Sequence, residues 1–173
     1  GEFIAQACVD DRHAPNSLEV LAKHLMLNPH VDLTYGDCLQ TPEPNQTFDN
    51  NSSNGATYEH SQRTFSRENM IKCLPGPMPM WRKSVHSKIG NFDSNLRRSG
   101  DWDFFLRMVE FGSVFKKVDV PIGLYYLNSD GLSTSTEGFE EKIKEECLVF
   151  ERYKHIFGEN NYNQFKDYFH QFD

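Results

Sequence analysis

The first forty residues alternate between apolar and polar segments in the order strand, helix, strand. An apolar run within residues 1–9 predicts a strand buried on both faces, which ends at Asp10-Asp11. Residues 17–27 place leucines on one face at helical spacing, and Asn28-Pro29 ends that helix. Residues 31–35 alternate as a second strand. This order is typical of a βαβ unit in a parallel sheet.

The pattern changes after residue 40. Residues 40–66 are rich in Pro, Asn, Ser, Thr and Gly and predict a long surface loop, either a substrate lid or a tolerated insertion, with a short strand near residues 56–58. Residues 66–72 predict a short helix. Three prolines within residues 74–82 predict a stiff extended segment, and a helix over residues 83–89 follows it.

The second half of the chain contains the clearest helix start. Ser99-Gly100 precede the carboxylates Asp101 and Asp103 and then an amphipathic segment, which predicts a helix N-terminus. Two strands are expected next, over residues 114–118 and 122–127. A long helix over residues 137–157 and an aromatic helix over residues 163–172 complete an α/β chain.

Composition and charge exclude several classes of function. The 173 residues suffice for one domain with a core rich in Phe and Tyr. A net charge of -7 argues against binding a nucleic-acid backbone or an anionic lipid surface. Four single cysteines predict free thiols. We recognise neither a signal peptide nor a run of 18 apolar residues, so we expect a cytoplasmic protein, with peripheral membrane association as an option in a full-length context.

Two acidic pairs are the candidates for chemistry. Asp10 and Asp11 end a strand, where paired carboxylates hold Mg²⁺ or Mn²⁺ or simply form a solvated turn. Asp101 is held rigidly at a helix start, where a general base would lie, although both Asp101 and Asp103 can serve only the helix dipole, worth about 0.3–1 kcal/mol. We expect the two pairs to face each other in one active site.

Other side chains keep two interpretations each. Trp81 and Trp102 either pack in the core or stack on a sugar. Arg12 and Arg82 either bind a diphosphate or pair with local carboxylates. The sequence contains no serine or thiol nucleophile signature and no Walker or dinucleotide-binding loop.

Taken in order, these segments resemble the second half of a family 2 glycosyltransferase of the GT-A group. The matching segments are residues 1–5, 9–19, 28–37, 80–84, 89–93, 100–107 and 125–133. The resemblance implies a partial GT-A, Rossmann-like mixed sheet flanked by helices over residues 1–135, followed by a helical extension of the same domain over residues 136–173. It also implies inverting, metal-dependent transfer of a sugar from a nucleotide-sugar donor to an acceptor hydroxyl.

The resemblance also assigns the site residues. The base is Asp101, and the ligands of Mg²⁺ or Mn²⁺ in the complete enzyme are Asp10 and Asp11. The residues assigned to the donor diphosphate are Arg12 and His13. The residues assigned to a saccharide or other hydroxyl acceptor are Trp81, Arg82, Trp102 and Asp103.

The chain departs from the family pattern in two ways. Cys8 stands where the first aspartate of the metal motif would fall, and the family's N-terminal nucleotide-binding half is not matched. We therefore expect this chain alone to bind a nucleotide-sugar weakly or not at all, and to form a homodimer through the edge strand of residues 3–9. The alternative is a non-catalytic binding or assembly module on a degenerate GT-A scaffold. A phosphohydrolase built on Asp10 and Asp11 ranks lower, because it lacks further metal ligands.

Overall fold

One mixed sheet forms the centre of the computed structural model, which describes residues 1–132 and 134–172. The strands are β1 (Phe3–Ala5), β2 (Arg12–His13), β3 (Leu33–Thr41), β4 (Met80–Arg82) and β5 (Phe115–Tyr126). Their order across the sheet is β1-β4-β3-β5-β2. β3 and β5 are parallel, whereas the other neighbouring pairs are antiparallel. The expected α/β fold with a mixed sheet is confirmed.

Helices flank this sheet. They are α1 (Ser17–Leu27), α2 (His86–Ile89), α3 (Gly100–Glu110), α4 (Phe139–Arg152), α5 (Lys154–Phe157) and α6 (Glu159–Phe169). Short 3₁₀ turns lie at His60–Gln62, Glu68–Ile71 and Lys83–Val85. α1 and α3 begin at the residues that the sequence pattern predicts. No helix within the described residues is both long enough and apolar enough to cross a membrane.

The first strand is shorter and more exposed than predicted. β1 ends at Ala5, its three residues are partly buried or exposed, and Val9 is 98% exposed, so the prediction of a strand buried on both faces over residues 1–9 is wrong. The physical reason lies in the partner segment. The segment before β4, which faces the chain after Ala5, contains Pro77 and Pro79, which have no N–H to donate. Its backbone bond to this part of the chain is from the Gln6 N–H to the Pro79 carbonyl at 3.0 Å.

The predicted βαβ unit is present, but another strand lies between its two strands. β4 lies between β1 and β3 and is antiparallel to both, so β1 and β3 run in the same direction without touching. β1 is one edge of the sheet, so the expected dimer through this edge stays a prediction.

The two strands expected over residues 114–127 are one strand, β5, with an irregular step. Gly36 of β3 pairs with Val118, whereas Cys38 pairs with Gly123. The extra residues of β5 bulge over Gly36, where an added Cβ would lie 2.9 Å from the Val118 side chain and from the Val120 carbonyl oxygen. Only glycine fits this step.

Tyr153 and Gly158 divide the C-terminal helical segment into three helices. The helix predicted over residues 137–157 is divided at Tyr153 into α4 and α5, and Gly158 adopts a positive φ of 77° before α6 starts at Glu159. In the loop over residues 40–66, the expected short strand is a single bridge between Leu39 and Thr57. Ser133, at the end of the resembling segments, and Asp173, at the end of the expected extension, lie outside the described residues.

Aromatic side chains dominate the larger of two core clusters, as the composition predicts. Phe104 and Phe105 of α3 and Phe150 of α4 are fully buried in it, together with Phe157 of α5. Helices from the expected extension therefore share one core with α3. The smaller cluster lies between α1 and the sheet. The division between residues 135 and 136 stays a prediction.

Candidate functional site

A cavity of about 590 Å³ opens beside the C-terminal end of β5. The loop over residues 58–73 and the helices α3, α4 and α6 complete its walls. Asp101, Tyr58 and Tyr125 line it, and the remaining lining side chains are about evenly divided between apolar or aromatic and polar or charged residues. Concave sites that combine apolar surface with polar groups are the usual form of a small-molecule site.

Asp101 enters this cavity from the first turn of α3. One of its carboxylate oxygens, Oδ1, accepts a 2.8 Å hydrogen bond from the backbone N–H of Trp102. Burial raises the pKa of Asp101, and the Trp102 N–H and the neighbouring Cys73 thiol counter only part of this effect. A carboxylate whose pKa is raised accepts a proton more readily, which is what a general base requires.

Glu145 of α4 fixes the turn that leads into α3. Its carboxylate accepts hydrogen bonds from three consecutive backbone N–H groups, those of Arg97 at 3.1 Å, Arg98 at 2.7 Å and Ser99 at 3.1 Å. The extension thus anchors the segment that carries Asp101. Glu145 could not be identified from the sequence, because no local pattern marks a contact between residues nearly fifty positions apart.

Asp103 faces away from the cavity into the protein. It is fully buried and accepts hydrogen bonds from Arg107 at 2.8 Å, Arg152 at 2.6 Å and the Tyr153 hydroxyl at 3.0 Å. Its carboxylate therefore ties α3 to the end of α4. This placement argues against the predicted contact with an acceptor.

Two other residues that were predicted to bind an acceptor also have contacts that stabilise the fold. Trp81 is 2% exposed and packs among aromatic rings of the core. Arg82 donates to three backbone carbonyls, those of Leu25, Asn28 and Val31. Neither side chain lines the cavity. Trp81 thus packs in the core, which is one of its two predicted roles. Arg82 lies 3.6 Å from Glu2, in line with the predicted pairing with a local carboxylate, and its bonds to carbonyls were not predicted.

Trp102 is the one member of that set of four that reaches the cavity. Its ring stacks on Phe157 and Phe169, and its Nε1 donates to the Met70 carbonyl at 2.8 Å. It is 5% exposed, so it forms part of the cavity wall rather than a free stacking surface.

The second acidic pair lies at the turn before β2. Asp11 is buried, and its Oδ1 accepts a 3.0 Å hydrogen bond from the backbone N–H of Tyr126. Burial raises the pKa of Asp11, whereas the Tyr126 N–H and the Cys8 thiol favour its charged form. Asp10 is exposed, and its Oδ2 accepts a 3.3 Å hydrogen bond from the Asn128 side chain.

Each acidic position lies near one ring of a pair of packed tyrosines. Tyr58 and Tyr125 pack with ring centroids 4.7 Å apart. Burial and then the charges of Asp11 and Asp10 raise the pKa of Tyr125 to about 12. Burial mainly raises the pKa of Tyr58, with a smaller contribution from Asp101. Asp101 thus lies near Tyr58, whereas Asp10 and Asp11, which do not line the cavity, lie near Tyr125.

The Asp10–Asp11 turn fits a hard divalent cation in one respect. Oδ2 of Asp11 is buried, and no N–H or O–H group in the described part of the chain donates to it. A carboxylate oxygen of this kind beside a second, exposed carboxylate suits Mg²⁺ or Mn²⁺, which take their remaining ligands from phosphate oxygens and water. Within residues 1–132 and 134–172, no group of three or more His, Cys, Asp or Glu residues is arranged to enclose a metal.

The residues expected to bind a diphosphate differ in availability. Arg12 is exposed and donates to the backbone carbonyl of Asp11 at 2.7 Å, so its guanidinium lies beside the acidic turn. His13 uses both ring nitrogens, with Ser17 at 3.0 Å and the Gln6 carbonyl at 3.1 Å. His13 therefore stabilises the turn, which leaves Arg12 as the better placed of the two.

Further polar residues of the cavity were not singled out from the sequence. Glu146 and Lys142 of α4 form an ion pair of 3.8 Å at the cavity wall. His60 contacts the Tyr58 hydroxyl at 3.2 Å, and burial, followed by the charge of Lys72, lowers its pKa to about 4. A neutral His60 and a partly buried ion pair give the cavity hydrogen-bonding capacity in addition to Asp101.

Comparisons with known proteins give a fold and no sequence family. No protein-family model and no curated protein sequence matches the chain. Among solved structures, S. aureus TarS 1-349 matches with a TM-score of 0.60 at 15% identity, over 96% of this chain and 48% of that one. A mannosyltransferase from Pyrobaculum calidifontis, solved in complex with GDP-Man and Mn²⁺, matches with a TM-score of 0.53 at 13% identity, over 98% of this chain and 44% of that one.

Both of these structures are glycosyltransferases. The chain therefore has a GT-A-like glycosyltransferase fold, as the sequence resemblance implies. It spans about half the length of each structure that it matches.

Proposed function

We propose that this chain forms the metal-side and acceptor-side half of an inverting glycosyltransferase that uses a nucleotide-sugar donor. The glycosyltransferase-like scaffold supports this assignment, and so does the mannosyltransferase solved with GDP-Man and Mn²⁺. Because the chain spans about half of each matching structure, the donor's nucleotide would be bound mainly by residues outside this chain.

The observation that carries the proposal is the position of Asp101. Its carboxyl lies in the wall of the cavity, at the start of a helix, with its pKa raised by burial. Asp101 would take the proton of an acceptor hydroxyl while that oxygen forms a bond to the anomeric carbon of the donor sugar. The bond from that carbon to the diphosphate breaks on the opposite face, so the configuration is inverted.

The donor diphosphate would lie near the Asp10–Asp11 turn. Arg12 is exposed there and would bind phosphate oxygens, while Asp10 and Asp11 would hold Mg²⁺ or Mn²⁺. Such a cation, when bound, offsets the negative charge on the departing diphosphate. Asp11 is held in place for this role by the Tyr126 N–H.

One observation favours a second function, a non-catalytic binding module. Cys8 stands at the position of a metal-ligating aspartate, and no group of three potential ligands surrounds Asp11 within the described residues. Titration calorimetry with Mn²⁺ and several nucleoside diphosphates separates the two functions. An enzyme's donor site gives metal-dependent diphosphate binding in the complete gene product, whereas a degenerate scaffold gives none.

The proposal is tested on the complete gene product with a panel of nucleotide-sugars and Mn²⁺. We expect one donor class to release its nucleoside diphosphate, and the anomeric configuration of the product, read by NMR, to be inverted. Failure of every donor to react, with saccharide acceptors present, would contradict the proposal. A product with retained configuration would contradict the role of Asp101 as a base.

A further inference from the structure

The cavity has a second wall, whose residues take no part in the proposed binding of donor or metal. α4 contributes Lys142 and Glu146 to it, and α6 contributes Gln164, Phe165 and Tyr168. We propose that this wall binds a neutral saccharide acceptor, and that Glu146 is the residue that selects it. The inference rests on the proposed function, because it names the substrate class and the specificity residue of the same site.

Glu146 is placed to bind a hydroxyl group beside the one that Asp101 would deprotonate. Its carboxyl lines the same cavity as Asp101 and lies 3.8 Å from the ammonium group of Lys142. Burial raises the pKa of Glu146, the charges of Lys142 and Lys72 counter part of this effect, and the charge of Asp101 adds a smaller rise. A partly buried carboxyl group is stabilised by hydrogen-bond donors, and the hydroxyl groups of a bound ligand would supply them.

Aromatic rings complete a surface that suits a sugar ring. Tyr168 is 48% exposed, and partial burial of its hydroxyl, followed by the nearby charge of Glu146, raises its pKa. Phe165 lies one helical turn before it on α6 and also lines the cavity. The C–H face of a pyranose packs on aromatic rings, while its hydroxyl groups reach polar side chains at the edge.

The charges around the cavity favour a neutral ligand over an anionic one. Three basic side chains, Lys72, Lys142 and Arg98, line the cavity together with the two carboxyl groups of Asp101 and Glu146. Lys142 is paired with Glu146, and Arg98 donates to the carbonyls of Leu132 and Glu137, so much of the positive charge is already engaged and an anion gains little attraction. The volume of about 590 Å³ lies within the range of small-molecule sites.

The test is saccharide binding by this 173-residue chain, without donor or metal. Saturation-transfer difference NMR with neutral methyl mono- and disaccharides identifies a bound member, and titration gives its Kd. We expect Glu146→Gln to weaken that Kd about tenfold, because a charged hydrogen-bond acceptor is lost. Tyr168→Ala should weaken it as well. Glu140→Gln is the matched control, since Glu140 lies on the same helix, exposed and outside the cavity.

Each outcome decides the inference. No neutral saccharide bound at tens of millimolar, an unchanged Kd in Glu146→Gln, or tighter binding of phosphorylated saccharides would overturn it. Its failure is distinguishable from that of the proposed function, because this readout requires no transfer. If this chain binds a saccharide but the complete gene product transfers no sugar, only the proposed enzyme function is contradicted. If the complete gene product transfers sugar but the acceptor KM is unchanged in Glu146→Gln, only the role of Glu146 is contradicted.

Discussion

Oε2 of Glu145 on α4 accepts a 2.7 Å hydrogen bond from the backbone N–H of Arg98, two residues before α3 begins. The same carboxylate also binds the N–H groups of the residues on either side. These three groups belong to the turn that places Asp101 in the cavity wall. The C-terminal extension is thus part of the machinery that positions the candidate base.

Removing the charge of Glu145 should loosen this turn. We expect Glu145→Gln to lower the free energy of unfolding by about 1–3 kcal/mol, since the amide offers one acceptor oxygen to three donors. Urea denaturation followed by circular dichroism measures the change. Glu140→Gln, an exposed position on the same helix, should leave the midpoint unchanged. Equal midpoints for the two variants would show that the anchor contributes nothing.

Asp103 should matter for stability. We expect Asp103→Ala to cost about 3 kcal/mol, because it leaves Arg107 and Arg152 without their buried partner. Thermal unfolding measures the loss. Asp93→Ala provides the comparison, as Asp93 is more exposed and lies 3.7 Å from the same Arg152. A loss no larger than that of Asp93→Ala would contradict the structural role assigned to Asp103.

The raised pKa of Asp101 predicts a pH dependence of stability. The folded protein holds this proton to a higher pH than the unfolded chain, whose reference pKa is 3.8. The resulting stabilisation is complete below the unfolded pKa and is lost as pH rises through the folded pKa. Asp101→Asn should therefore be more stable than wild type at pH 7, with a smaller gain at pH 4. Denaturation of both proteins across this range tests the sign, and a gain that grows toward acid would contradict it.

Metal binding should depend on Asp11. Asp11→Asn keeps an oxygen that can accept from the Tyr126 N–H, but it removes the charge. We expect Mn²⁺ affinity, measured by electron paramagnetic resonance with a nucleoside diphosphate present, to fall at least about tenfold. In wild type it should also fall as acid protonates Asp11, at a pH above the usual range for an aspartate. Glu19→Gln, on the exposed face of α1, serves as control. Equal Mn²⁺ affinities in Asp11→Asn and Glu19→Gln would show that Asp11 does not bind the metal.

Local pattern was sufficient for much of this fold. Helical spacing placed α1 and α3, and the acidic first turn of α3 identified Asp101. Local pattern could not predict the order of the strands in the sheet. β4 lies between β1 and β3, yet it follows β3 in the sequence by about forty residues. The length of β1 likewise depends on prolines in a partner segment far along the chain.

The roles of the residues in the candidate site were likewise only partly predictable from the sequence. Tryptophan and arginine side chains either stabilise the fold or bind ligands, so the sequence left two roles open for Trp81 and Arg82. The burial of Trp81 and the bonds from Arg82 to backbone carbonyls favour the structural role. Glu145 and Glu146 differ by one position on α4. One binds backbone N–H groups and the other lines the cavity, a distinction that only tertiary packing creates.

The most direct test of the account is sugar transfer by the complete gene product carrying Asp101→Asn. The amide cannot take a proton from the acceptor, so we expect kcat to fall by about 10²–10⁴-fold, while the Kd for the donor stays within about twofold of wild type. Transfer at a rate near that of wild type would contradict the assignment of Asp101 as the general base.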